Sequence, residues 1–176
     1  IDISVFCTGM HDPDAEKKLS SEKIREIMET NFFGTLNCIM AVNTYFRERK
    51  NGHIAIVSSV AGYRGLPAAS GYCASKSALI SLAESLYFDF KRYNVKVSVI
   101  NPGFIKTPMT DKNKFPMPMI KSAEFAAEKM FTGLTKKNVF EIHFPLAFTI
   151  IMKLLKIMPN WLYFLLVKKG MKTIKY

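Results

Sequence analysis

His53-Ile54-Ala55-Ile56-Val57-Ser58-Ser59 and, after a Gly-rich passage, Gly71-Tyr72-Cys73-Ala74-Ser75-Lys76 form the stretch that decides how the rest of the chain is read. Its first half is nearly all apolar, as a strand covered on both faces of a parallel sheet must be. The loop that holds Gly62, Gly65 and Pro67 leads into a helix expected from about residue 71 to 93. The next apolar run, residues 95–100, is a returning strand stopped by Asn101-Pro102-Gly103. Strand, long helix, strand is a crossover unit, and it sets the class.

The same alternation extends in both directions. Upstream, residues 3–6 make a short β run closed by Cys7-Thr8-Gly9 and a polar loop through Asp14. Ser20 or Ser21 caps a helix in which Ile24, Ile27 and Met28 recur at helical spacing. That helix is expected to run past Asn31-Phe32-Phe33-Gly34 to about Arg49, before the Asn51-Gly52 turn. Downstream come a Pro- and Met-rich loop (104–120), a short helix (122–132) and a further strand (139–143). Alternating strands and helices imply a parallel α/β sheet flanked by helices. A chain of 176 residues can bury one such core, assigned here to residues 1–143, with 144–176 as a helical extension.

Tyr72 and Lys76 stand four apart on a helix, so their side chains share a face. A phenol with its ordinary pKa near 10 is a poor acid or base at neutral pH, and an ammonium alongside favours its ionised form. Such a pair can give a proton to an oxygen or take one from it. Many Tyr–Lys pairs at this spacing merely decorate a solvated helix face. Ser59 follows the apolar strand, where open α/β sheets place their ligands, although most strand-end serines are plain turn residues.

Taken together, Ser59, Tyr72 and Lys76 at these spacings resemble the short-chain dehydrogenase/reductase family, in which a strand ends in Ser and Tyr-x-x-x-Lys follows. Asn31 with Gly34 in the preceding helix, Asn101-Pro102-Gly103 with Thr107, and the opening strand through Gly9 fall in that family's order. The resemblance implies a Rossmann-type sheet and interconversion of a carbonyl and an alcohol with a nicotinamide cofactor, NAD or NADP. It implies that Tyr72 is the acid/base, and that Ser59 hydrogen-bonds the substrate oxygen. Lys76 would lower the Tyr72 pKa and bind the nicotinamide ribose. Asn31, interrupting its helix, would hold a water of the proton relay. Gly9, Pro102, Gly103 and Thr107 would line the cofactor side.

Two departures bear on this reading. Cys7-Thr8-Gly9 stands where the family has Asn-Ala-Gly, and a thiol cannot make the amide's hydrogen bonds. The family's Gly-rich strand–turn–helix, which receives the pyrophosphate at a helix N-terminus, is not among the 176 residues. The expectation is therefore a truncated enzyme that does not turn over alone. The rival is a non-catalytic remnant or half-enzyme that acts as an interaction module or requires a separate N-terminal fragment.

Composition narrows the partners. Three cysteines (Cys7, Cys38, Cys73) are too few and odd in number for a disulfide framework, which points to a reduced, cytoplasmic setting. The opening residues lack the basic region of a signal peptide. His11, His53 and His143 have no ligand spacing, so no metal is expected. The net charge of +11 is uneven: residues 142–176 carry six lysines (153, 156, 168, 169, 172, 175) and no acid. These lysines sit among Leu, Ile and Phe with no arginine, which argues against nucleic acid. Thr149, Lys153, Lys156 and Asn160 form one polar stripe, with Ile150, Ile151, Leu154, Leu155, Ile157 and Met158 over the remainder, and Trp161 opens a second apolar run. The uncharged stretches 142–152 and 157–167 are too short to span a bilayer. Two readings stand: a helical pair packed on the domain or on a second subunit, or a peripheral anchor lying in a membrane surface. Met109, Phe115, Met117 and Met119 suggest a lipophilic substrate or the packing of a lid.

Overall fold

Four strands, all parallel, pair in chain order: β1 (Ile3–Phe6), β2 (Gly52–Val57), β3 (Val95–Pro102) and β4 (Glu141–Phe144). They are seen in a computed structural model that describes residues 1–113, 115–136 and 139–173. This is the helix-flanked parallel sheet expected from the alternation. Successive residues of a strand face opposite sides of a sheet. Ile54 and Ile56 therefore join Val97 and Val99 against α4 (Ser70–Lys91) and α3 (Gly34–Arg49), where Leu79, Phe90, Ile39 and Phe46 are fully buried or nearly so. Ala55, Val57 and Ile100 face the other way, onto Ala126 of α5 (Ala123–Thr135) and Ile142 and Phe144 of β4. Each large side chain so buried contributes roughly 1.5–3 kcal/mol. Among the described strands β1 is an edge, with Ile3 and Val5 exposed.

The long helix expected from residue 20 to 49 is two helices. α2 (Ser21–Met28), capped by the Ser20 hydroxyl on the Lys23 N–H, passes through one π turn, Glu29–Phe33, into α3. Within the loop expected before it lies a short helix, α1 (Pro13–Lys17), whose N-cap Asp12 accepts from the Ala15 N–H at 3.1 Å. The last strand is shifted by about two residues from the expected 139–143.

The extension forms α6 (Leu146–Ile157) and α7 (Asn160–Thr173). Its polar stripe faces the sheet domain. Thr149 is fully buried against the His143 ring at 2.7 Å, and the Lys153 ammonium binds Glu141 at 2.5 Å. Arg64 donates to the Leu155, Lys156 and Met158 carbonyls and to Asn160 Oδ1, satisfying the orphan acceptors of the α6 C-terminus. Met152 and Leu155 pack on the core, whereas Ile150, Ile151, Leu154 and Ile157 point outward. Lys175 lies outside the described residues, as does the side chain of Lys172.

Candidate active site

The carboxyl ends of β1, β2 and β3 converge, and the predicted site residues follow them, as ligands do in open α/β sheets. Beyond β2, Ser58 is buried and donates to the Lys76 carbonyl at 2.7 Å, pinning the strand end to α4. That leaves Ser59 to turn outward. Its hydroxyl accepts the Ala61 N–H at 3.1 Å and lies 3.5 Å from the Pro102 carbonyl.

Ser59, Tyr72 and Gly103 share the wall of a cavity of ≈ 240 Å³. The rest of the lining is mainly apolar, with Leu66, Phe104, Met109, Phe115 and Phe148 prominent. Two of the four loop residues singled out in the sequence, Met109 and Phe115, are in that wall. Met119 is exposed, and the Met117 sulfur accepts from Asn113.

One turn deeper on α4, Lys76 is only 4% exposed. Its ammonium donates to the Val57 carbonyl at 3.1 Å and faces Gly9, where a Cβ would sit 3.3 Å from Nζ. A side chain at position 9 would crowd the lysine, so the missing Cβ opens a cradle there. Asn31, wholly buried in the π turn, accepts the Met10 N–H at 2.7 Å and donates to the Met10 carbonyl and the Ser75 hydroxyl. It ties the loop after β1 to α4. Pro102 ends β3, and Gly103 donates to Phe144 at 2.7 Å. Thr107 stands apart from the cavity wall, its hydroxyl and N–H turned to Thr110.

The electrostatics differ from the expectation for Tyr72. Burial pushes its pKa up to about 12, while the Ser59 hydroxyl works in the opposite direction. Lys76 is itself brought down to about 8 by burial, and its ammonium lies 5.8 Å from the phenol ring centre. Burial is the largest influence on both groups, and it disfavours the charged form of each. At neutral pH Tyr72 carries its proton and Lys76 its charge.

Two residues outside the sequence-derived set belong to this place. The His11 ring stacks on Tyr72, with centroids 4.5 Å apart, and lines the cavity. Glu16 of α1, buried beside His11 at 3.4 Å, accepts the N–H groups of Gly71 and Tyr72 at 2.7 and 3.1 Å. The Asp12-Pro13 pair, with acids following, was the available signal for α1.

The pattern of the short chain dehydrogenase family matches residues 1–116. An uncharacterized oxidoreductase of Myxococcus xanthus is 36% identical over 163 residues, which cover 93% of this chain and 64% of that protein. A 3-ketodihydrosphingosine reductase of Bacteroides thetaiotaomicron is 33% identical over 111 residues, 63% of this chain and 41% of that one. Among solved structures, a short chain dehydrogenase from Mycobacterium paratuberculosis bound to NAD superposes with a TM-score of 0.69 at 25% identity, over 81% of this chain and 62% of its own. The chain thus spans less than two thirds of the length of each of these relatives.

Proposed function

The chain belongs to the short-chain dehydrogenase family, and from that membership we propose that it carries the catalytic half of a nicotinamide-dependent oxidoreductase that interconverts a lipophilic carbonyl compound and its alcohol. The observation that carries the reading is the meeting of Ser59 and Tyr72 in one apolar cavity wall, with the Lys76 ammonium a turn deeper. The nicotinamide, when bound, supplies or accepts the hydride at the substrate carbon.

Everything else falls to the chain's own residues. In reduction, the Tyr72 hydroxyl passes its proton to the substrate oxygen as negative charge develops there. The Ser59 hydroxyl donates to the same oxygen and stabilises that charge. Lys76 spends one N–H on Val57 and keeps its other donors for ribose hydroxyls, in the cradle that Gly9 leaves open. The same ammonium limits the cost of the phenolate formed when Tyr72 gives up its proton. Phe104, Phe115, Met109 and Phe148 favour a hydrocarbon-bearing substrate and keep water from the reacting oxygen. The Bacteroides relative, a ketone reductase by name, supports the lipophilic class.

In the cofactor-binding form of the protein, Tyr72→Phe is expected to lower kcat by about 10²–10⁴-fold, the usual worth of such a group. Cofactor affinity, read by titration calorimetry, is expected to stay within about twofold, since the ring still fills its place. Retention of more than about a tenth of turnover would contradict the acid/base role and leave a binding module as the better account.

A further inference from the structure

Amphipathic helices normally bury their apolar face. In α6 the reverse holds for most of its length. Leu146, Ile150, Ile151, Leu154 and Ile157 are between 46% and 78% exposed, while Thr149 and Lys153 are turned to the domain. In α7, Trp161, Phe164, Leu165 and Leu166 are 43–70% exposed. The orientation is fixed by specific contacts. Arg64 clamps the junction of the two helices and stacks on Tyr163 at 4.1 Å, and the buried Tyr163 hydroxyl donates to the Gly65 carbonyl at 2.5 Å. An apolar surface of this extent, held outward by polar anchors, marks a contact surface rather than a core face.

Charge identifies what it meets. Residues 142–176 contain six lysines and no acid, and Lys168 and Lys169 are exposed on α7, just after the apolar run that Trp161 opens. Two copies of this surface brought together would set lysines against lysines, which costs energy. A sheet of anionic head groups over hydrocarbon matches both features, and an exposed tryptophan suits its interfacial layer. Among the described residues no helix is long and apolar enough to cross a membrane, so the contact is in-plane. We propose that the outer faces of α6 and α7 dock this protein on bilayers containing anionic phospholipid.

Trp161 is the chain's single tryptophan and is 70% exposed, so it reports on this face alone. The protein is mixed with vesicles of phosphatidylcholine, or of phosphatidylcholine with phosphatidylglycerol, at about 0.1 M salt. With the anionic vesicles we expect co-sedimentation, a blue-shifted Trp161 emission and quenching by brominated acyl chains; with the neutral vesicles all three are weak. The pair Lys168→Glu/Lys169→Glu is expected to weaken binding at least about tenfold, given what each basic residue contributes near an anionic surface. The pair Leu154→Ser/Ile157→Ser is expected to remove the blue shift. Both pairs lie on exposed positions, and an unchanged thermal midpoint checks that the fold is intact. Sedimentation without any Trp161 shift, or no sedimentation at all, overturns the proposal. So does a blue shift that grows with protein concentration in the absence of lipid and accompanies a doubled mass, since a second copy then covers the face. Tyr72→Phe is expected to bind vesicles like the parent protein, so the result stands or falls apart from the assignment of the reaction.

Discussion

Lys76 holds an ammonium in a place that disfavours charge, next to a carbonyl and a Cβ-less backbone. The folded protein releases that proton at about 8, whereas the unfolded chain keeps it until about 10.5. Below 8 both states are charged, and the cost of burying the ammonium weighs fully on the fold. Between the two values the unfolded chain binds more protons, so this group makes stability rise with pH, and above 10.5 the cost is gone. Lys76→Met removes the charge but keeps most of the volume. It is expected to raise stability at pH 7 by about 1–3 kcal/mol, after allowance for the lost bond to Val57, while abolishing turnover. Thermal unfolding followed from neutral to alkaline pH checks this: the gain should shrink across that window. A variant less stable than the parent at neutral pH would show that the ammonium supports the fold instead of straining it. Such a trade between stability and function is the usual mark of an active-site group.

At the scale of the element, α4 is delivered to the site by α1. No side chain of its own caps α4 at Ala69, and the Glu16 carboxylate takes the N–H groups of Gly71 and Tyr72 instead. Burial raises the Glu16 pKa, with those two N–H groups opposing, so the ionised form is disfavoured in the fold. Its contribution is therefore complete below about 4.5 and diminishes as pH rises through the folded value. Glu16→Gln keeps an acceptor and drops the charge, and is expected to be at least as stable as the parent at neutral pH. Glu16→Ala orphans two donors at the start of α4 and is expected to cost about 1–3 kcal/mol. Thermal midpoints of the two variants decide it, and equal losses for both would contradict the cap. This seat was not legible in the sequence: a five-residue helix shows no periodicity, and its partner lies 55 residues away. β2 and β3 were legible as short apolar runs bounded by turn residues, and α4 as the stretch between them, too long for a strand. The π turn at Asn31 came only through family resemblance, since Glu29 to Phe33 continues the helical spacing without a break.

For the whole molecule, the sequence shows which residues of α6 share a face but not which face turns inward, because that choice rests on distant partners. Glu141 of β4 is one of them. Its carboxylate accepts from Tyr63 after β2, from Asn101 of β3 at 2.7 Å, and from Lys153 of α6 at 2.5 Å. One side chain therefore joins the edge of the sheet, the loop that carries Arg64, and the extension. Burial works to raise the Glu141 pKa, but the hydrogen bonds from Lys153, Tyr63 and Asn101 outweigh it and hold the carboxyl below its usual value. A depressed folded pKa means that the contribution is present above the unfolded value near 4.5 and is lost as pH falls through the folded one. Lys153 is 38% exposed, so solvent screens its share, and the loss in Glu141→Gln is set at about 1–2 kcal/mol at neutral pH. The gap in thermal midpoint between parent and variant should be widest at neutral pH and close in acid, where the parent's own carboxylate is protonated. Amide exchange should show α6 losing protection first, because its polar seat depends on Glu141 while Ile150, Ile151, Leu154 and Ile157 are exposed. A gap that persists unchanged below the carboxylate range would place the effect in packing and not in charge.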